Sequence, residues 1–520
     1  MINEQQKPET VTTKPDNQRV WFAFIALMLT MLMSSLGQMI FSTALPTIVG
    51  DLGGVELMSW VITSFMLAQT IAMPIFGKLS DQMSRKYLLI GVIAVFVLGS
   101  VIGGFAQSMT TLIVARLIQG AAGGGLMILS QAITAEVVSA RDRGKYMGIM
   151  GAVFGVSSVL GPVLGGWFTD GPGWRWGLWL NVPLGLIAIA GIVYFLHNSG
   201  ARARVSVDVW GILTMAVATS SLILMCTWGG NTYEWSDPII IGLGMCTAVF
   251  YPLFFFVERK VSNPLVPPSV FAIRNFNLTT LAGIATGVFM FGTLAYLPTY
   301  MQMVHMMSPT NAGLMMTPMM VGMLMTSTLV GNLVTRYGHY KWYPVVSMIG
   351  TFVAMVALSF MEPETPLWVV GILLFVLGAV LGIGMQILVL IVQNSFSLDM
   401  VGTATAANNF FRQIGGTLGA ALVGGLFTGS LTDHLQEKLP AAIAQLPPEV
   451  QQQMAQGGGD FTDKLTPAML THLPDVVQTT IQQSYSDALT PIFLLLSPLA
   501  LVAAVILAFV KEEPLKTEIA

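Results

Sequence analysis

The sequence is short of charge. Of its 520 residues only 9% are Asp, Glu, Lys or Arg, where a soluble chain carries about 25%. That is too little to clothe a water-exposed surface, so a soluble enzyme is excluded. Disorder is excluded as well, because it needs low hydrophobicity and high charge, and 54% of this chain is hydrophobic. An excess of positive charge is missing: the net charge is −3, which argues against a nucleic-acid partner. Cysteine is nearly absent. Cys226 and Cys246 alone cannot build a disulfide scaffold or a cysteine-rich metal site, and no metal is expected. Catalytic signatures are lacking too, with no HExxH, no Gly-rich phosphate loop and no Ser/His/Asp set at membrane depth. These gaps speak against an integral membrane enzyme and against an ATP-driven pump made of this chain alone. No ring-forming filter repeat suggests a channel.

What the sequence does have is long apolar runs. Fourteen stretches are long enough to cross a bilayer core of about 30 Å as helices. They lie near 20–43, 57–77, 87–106, 110–136, 145–168, 176–197, 208–228, 238–258, 277–298, 311–334, 342–360, 366–393, 402–428 and 488–510. Lys and Arg should collect on the cytoplasmic side. With the N-terminus inside, the inner segments hold Lys7, Lys14 and Arg19, then Lys78, Arg85 and Lys86, then Arg141, Arg143 and Lys145. They also hold Arg202, Arg204, Arg259, Lys260, Arg274, Arg336, Lys341, Lys511 and Lys516. The outer segments keep only Arg175, Lys438 and Lys464, while Arg116 and Arg412 fall inside spans. One missed span would invert the pattern beyond it, so both termini are expected in the cytoplasm. The outer segment 429–487 is long, acidic and rich in Gln, Pro and Ala. Residues 431–446 and 474–487 have helical spacing, which predicts short amphipathic helices around Gly457-Gly458-Gly459. A loop of this length is either functional or disordered.

Three runs carry possible chemistry. The segment from Gly77 to Lys86 places Asp81, Arg85 and Lys86 on a tight turn. Such a charge cluster either latches two rigid bodies or only keeps the loop inside the cell. Arg116 lies about six residues into its span, with Gln119 one turn away and Gly120 next to it. A guanidinium at that depth must face the protein interior or a wet cavity, or else snorkel to the surface. The run 145–168 carries Gly148, Gly161-Pro162 and Gly165-Gly166. Small residues allow close helix contacts and Pro bends a helix, although both are common in any membrane helix.

These runs resemble the signature motifs of the major facilitator superfamily. Gly77 to Lys86 resembles its loop 2–3 motif, with Ser84 where a second Gly is usual, and Glu136 matches the acid that pairs with that cluster. Arg116, Gln119 and Gly120 resemble the helix 4 motif. The Gly148 to Gly166 run has the spacing of the antiporter motif, with Ser157 at one usual Gly position. Fourteen spans make the chain similar to the drug:proton antiporter family of the EmrB/QacA type. Ala44-Leu45-Pro46, Trp174-Arg175-Trp176 and Arg412-Gln413 add to the likeness.

The resemblance implies an all-α integral membrane protein with the major facilitator fold. Its parts would be a cytoplasmic tail 1–19, a six-helix bundle 20–200, an inserted two-helix hairpin 201–260, a second six-helix bundle 261–510 that includes loop 429–487, and a tail 511–520. It implies a secondary active multidrug exporter of the bacterial inner membrane. Two bundles would rock about a central site, with Asp81, Arg85, Lys86 and Glu136 as a cytoplasmic latch. Energy would come from the proton gradient, with no bound cofactor. Partners would be small hydrophobic or amphipathic substrates and membrane lipid, and an envelope partner could meet loop 429–487. An exporter of lipid or cell-envelope precursors is the alternative.

One departure bears on coupling. The family's helix 1 motif has an Asp seven residues before Ala-Leu-Pro, and here that position is Gly37, followed by Gln38. No other acid lies clearly mid-span. The proton-linked group is then an outer acid such as Asp51 or Glu56 folding in toward Arg116, an acid at an inner helix end (Glu136, Asp208 or Glu258), or absent. A cavity without carboxylates should prefer neutral, amphipathic or anionic compounds over dications. Candidate cavity residues are Gln38, Gln302, Asn408, Asn409 and Arg412. Each of them serves equally well as glue between helices. Methionine is dense over 290–325; such flexible side chains suit a permissive surface, although most should be core filler.

Overall fold

The computed structural model describes residues 17–54, 57–198, 207–230, 232–447, 470 and 473–515. Lys7, Lys14, Glu56, Arg202, Arg204, Lys464, Lys516 and Gly457-Gly458-Gly459 lie outside the described residues. Among those described, helix is the only extended regular structure, apart from an isolated bridge between Gly229 and Tyr233.

Among the described residues, thirteen helices are long and apolar enough to cross a membrane, and Trp342–Leu358 is a shorter apolar one. Its 17 residues sit at the lower end of what spans a bilayer. The first half contains α1 (Asn17–Leu52), α2 (Met58–Gln82), α3 (Arg85–Gly104), α4 (Met109–Val137) and α5 (Arg143–Asp170). Its last crossing is made by α6 (Trp176–Trp179) and α7 (Asn181–Phe195) together. A hairpin of α8 (Val209–Trp228) and α9 (Pro238–Lys260) follows. The second half contains α10 (Arg274–Met303), α11 (Pro309–Leu314) with α12 (Thr317–Tyr337), α13 (Trp342–Leu358), α14 (Leu367–Asn394), α15 (Val401–Ile443) and α16 (Asp475–Ala508). These are the two six-helix bundles and inserted hairpin of the major facilitator fold, in a multi-pass membrane protein.

Local sequence sets the helix starts. Ser108 accepts from Thr111 N at 3.2 Å, Asp208 from Gly211 N at 2.9 Å, and Asp237 from Ile239 N at 2.8 Å. Each satisfies an otherwise orphaned donor of a first turn. Within the first bundle, α4 lies directly on α2: a Cβ on Gly120 would strike the backbone of Phe65, and one on Gly124 the carbonyl of Gln69. Such close approach supplies the packing that holds helices together where no hydrophobic force separates them from lipid.

The outer segment departs from expectation. Residues 431–443 continue α15, and 475–487 open α16, so these two described stretches are parts of longer helices and not separate short ones. At 43 residues, α15 is about 65 Å long, roughly twice the hydrocarbon thickness. The projecting ends pack on each other through Leu435, Leu439, Val477 and Ile481, all buried, and Lys438 Nζ meets Asp487 Oδ2 at 2.6 Å. A continuous apolar stripe let the membrane helices extend into a stalk.

Candidate functional site

The Lys/Arg-rich end of the molecule is sealed by contacts between the two bundles. There α2 and α15 touch backbone to backbone. A Cβ on Gly77 would meet Ala406 and the Gly402 carbonyl, and one on Gly402 would meet Ser80 and Asp81. The first turn of α15 has no side-chain cap of its own. Asp81 supplies one from the other bundle: Oδ1 accepts from Gly402 N at 3.0 Å and Oδ2 from Thr403 N at 2.7 Å. A carboxylate at a helix N-terminus satisfies orphan donors and complements the helix dipole.

Arg85 fixes that carboxylate. Its Nη2 donates to Asp81 Oδ1 at 2.9 Å and to Leu398 O at 3.0 Å, and its Nη1 meets Glu136 at 2.9 Å. The guanidinium is 2% exposed. Gly77, Asp81, Arg85 and Glu136 therefore form one unit. Lys86 does not join it. Its Nζ donates to Val193 O and Leu196 O at the end of α7, where a cation caps open carbonyls. Lys86 is therefore removed from the cross-bundle set.

A second contact seals the same end on the opposite side of the molecule. Gly148 lies against the Ser327 carbonyl of α12, and Ser327 Oγ donates to Gly148 O at 2.8 Å. Arg141 donates to Thr335 O and Arg336 O at 3.0 and 3.1 Å. Gly148 of the antiporter-like run thus faces the other bundle, whereas Gly161 packs on Met39 of α1 within its own. Gly165 is buried and Gly166 faces open space. Pro162 falls in α5, and its side chain lies outside the described residues.

Arg116 is fully buried. It donates to Val61 O at 3.1 Å, Gly37 O at 2.7 Å and Gln119 Oε1 at 3.1 Å. The rings of Phe41 and Phe65 lie 4.3 and 4.2 Å from it. Carbonyls and aromatic faces thus take the place of a carboxylate. A side chain at Gly37 would begin only 3.1 Å from the Phe96 ring, so the missing helix 1 acid has little room. Asp51 does not fold inward toward Arg116. It accepts from Trp174 Nε1 at 3.1 Å and pairs with Arg175 at 3.0 Å. Those bonds, Trp174's first, hold its carboxyl below the usual range despite its exposure.

Between the bundles lies a buried polar patch. Asn409 Nδ2 donates to Gln131 Oε1 of α4 at 2.8 Å, Arg412 Nη2 donates to Asn409 Oδ1, and Asn408 Nδ2 donates to Thr280 Oγ1 at 3.2 Å. Toward the other end is an apolar cavity of about 390 Å³, lined by Gln38, Met39, Ile62, Met66, Ile223, Phe291, Leu294, Tyr296, Gly416 and Thr417 among others. Gln38 lines it and Gln302 does not. The dense methionines also lie elsewhere: Met301, Met316, Met319, Met320 and Met323 are buried in the second bundle's core. The cavity's methionines are Met39 and Met66.

Two of the inner-end acids come together at the hairpin base. Asp208 and Glu258 are 8% and 1% exposed. Asp208 Oδ1 accepts from Gly211 N, and Glu258 Oε2 from Val266 N at 2.7 Å. Their other oxygens find no donor, and both crowd the space left by the absent Cβ of Gly211. The available signal was two acids at facing ends of a hairpin.

A sealed end, a cavity between two bundles and a helix pair inserted between them define a membrane transporter rather than an enzyme. The family model described as Major Facilitator Superfamily matches residues 27–420, and the chain belongs to that superfamily. It is 37% identical to an MFS-type transporter of Mycobacterium tuberculosis (strain ATCC 25618 / H37Rv), over 95% of this chain and 69% of that protein. It is 32% identical to multidrug resistance protein 3 of Bacillus subtilis (strain 168), over 98% of each. The structure of the human organic anion transporter MFSD10 matches with a TM-score of 0.59 at 15% identity, over 95% of this chain and 100% of that one. At that identity the likeness concerns the fold alone.

Proposed function

We propose that the chain is a secondary active exporter of hydrophobic or amphipathic compounds, driven by proton entry, in a bacterial inner membrane with both termini in the cytoplasm. The observation that carries this reading is the pairing of a sealed basic end with a cavity between the bundles toward the far end. With the Lys/Arg-rich side in the cytoplasm, this is an outward-facing arrangement. Its about 390 Å³ lies in the range of drug-sized pockets, and the name of the Bacillus relative supports multidrug substrates. Releasing Asp81 from α15 would let the bundles part on the cytoplasmic side and load substrate. Resealing would then present it outward.

Proton antiport needs a titrating group linked to that movement. The buried acids among the described residues are Asp81, Asp208 and Glu258. Asp208 and Glu258 are the best placed. One proton between their two orphan oxygens satisfies both, and α8 packs against α2 of one bundle and α15 of the other, beside the seam that opens. A second reading, export of lipid or envelope precursors, is favoured by the α15–α16 stalk, which offers a docking point for an envelope partner. Uptake into inside-out vesicles under an imposed pH gradient, with a panel of dyes and a fluorescent lipid, tests both. Gradient-dependent dye uptake supports the first reading. Uptake of lipid alone supports the second, and no uptake of either refutes export.

A further inference from the structure

The cross-bundle patch holds a cation without a counter-ion. Arg412 is 6% exposed and makes no ion pair among the described residues. Its Nη2 is bonded to Asn409, but its Nη1 is buried and has no partner. Across the seam, Gln131 is fully buried. Its Oε1 takes the bond from Asn409, which leaves its Nε2 without a partner as well. The amide of Asn409 therefore ties together two side chains, one per bundle, that each keep a spare donor. Buried donors are nearly always satisfied, and an unpaired buried guanidinium is far from the interior norm. These are two spare N–H donors, one of them charged and neither ion-paired among the described residues, of the kind from which an anion accepts.

An apolar chamber lies further along the same helix. Gly416 is one turn beyond Arg412 on α15, hence on the same face, and it lines the cavity of about 390 Å³ with Ile62, Met66, Ile223, Phe291 and Leu294. A molecule with an acidic head at Arg412 and an apolar body in the cavity would use both features.

We propose that Arg412 of α15 and Gln131 of α4 form the head-group site of this transporter, and that its substrates are amphipathic organic anions, carboxylates or sulfonates on an apolar body. This rests on the exporter reading and narrows its substrates. It also gives the site a conformational role, because an anion held by one donor from each bundle binds most tightly when the two faces are close.

Binding of three ligands with one apolar body tests the proposal: 2-naphthoate, its methyl ester and 2-naphthylmethylammonium, titrated into the purified full chain in lipid nanodiscs. The acid should bind roughly tenfold to a hundredfold more tightly than the ammonium, the usual reach of a hydrogen bond to a charged group. Arg412→Gln should remove that preference while leaving the ester's affinity within about twofold. Gln131→Leu, which removes the other donor from the opposite bundle, should weaken the acid alone. Equal binding of acid and ammonium by the wild type overturns the proposal. So does a parallel loss of all three ligands in both variants, which would mark a purely structural role. The exporter reading is judged separately, by gradient-driven export of naphthoate from the same protein: binding without transport would sink that reading and leave the site standing.

Discussion

Replacing Asp81 with Asn removes the charge that joins the bundles and little else. In the native chain the carboxylate takes two backbone N–H bonds from α15, at 3.0 and 2.7 Å, and one from Arg85 at 2.9 Å. Asn keeps one acceptor oxygen and turns an amide N–H toward the second backbone donor. One charge-assisted bond is lost, worth about 1.5–3 kcal/mol, and with it the interaction with the helix dipole. Arg85 retains Glu136, so the first bundle keeps its own ion pair. A net loss of about 2 kcal/mol shifts the balance between sealed and open basic ends by roughly thirtyfold. Spin labels at Tyr87 and Trp342, 62% and 61% exposed near that end of opposite bundles, report the change on a background without Cys226 and Cys246. The variant should gain a longer-distance population and lose gradient-driven export at unchanged abundance. An unchanged distance distribution together with unchanged export would refute the latch.

Three further outcomes are expected. Glu258→Gln, which fixes the Asp208 partner in a form that cannot release a proton, should abolish accumulation against a gradient while leaving downhill substrate exchange within about twofold; equal loss of both in vesicles would show a folding role. Lys438→Ala removes a stalk bridge whose partners are 37% and 32% exposed, so the unfolding midpoint should move by less than about 1 kcal/mol equivalent, and a larger fall would mean that the stalk is a stability element. The tie of Asp51 to Trp174 and Arg175 should be insensitive to pH between 5 and 8. A carboxyl with a lowered folded pKa contributes fully above its ordinary value of 3.8 and loses that contribution only as pH falls through the folded value, so Asp51→Asn should alter the thermal midpoint equally at pH 5 and pH 8.

The crossings were legible because apolar runs bounded by Lys and Arg follow directly from the cost of burying charge in lipid. The pairing of Glu136 with Asp81 and Arg85 came from the family resemblance, while Arg116 with Gln119 was legible from the residues, since a guanidinium at that depth needs a partner one turn away. The destination of Asp81 was not. The donors it accepts from are backbone amides more than 300 positions away, and backbone groups carry no sequence signature. Lys86 misled for the same reason, since its partners are carbonyls at the end of α7. The stalk was misread because 431–446 looked like a separate amphipathic helix once the membrane span was assumed to end at 428. Only packing of α15 on α16 shows that the helix continues. Gln38 lines the cavity and Gln302 does not, a distinction not visible in the sequence because which face of a helix meets the cavity depends on the angle between bundles.

Transport by alternating access requires one end of the molecule to open as the other closes. Two label pairs measured in the same nanodisc preparation test it directly: Tyr87 with Trp342 at the basic end, and Phe105 with Phe360, 70% and 76% exposed, at the other. Across changes of pH and added substrate, the first distance should lengthen as the second shortens. Distances that rise and fall together, or that stay fixed while substrate is exported, would contradict it.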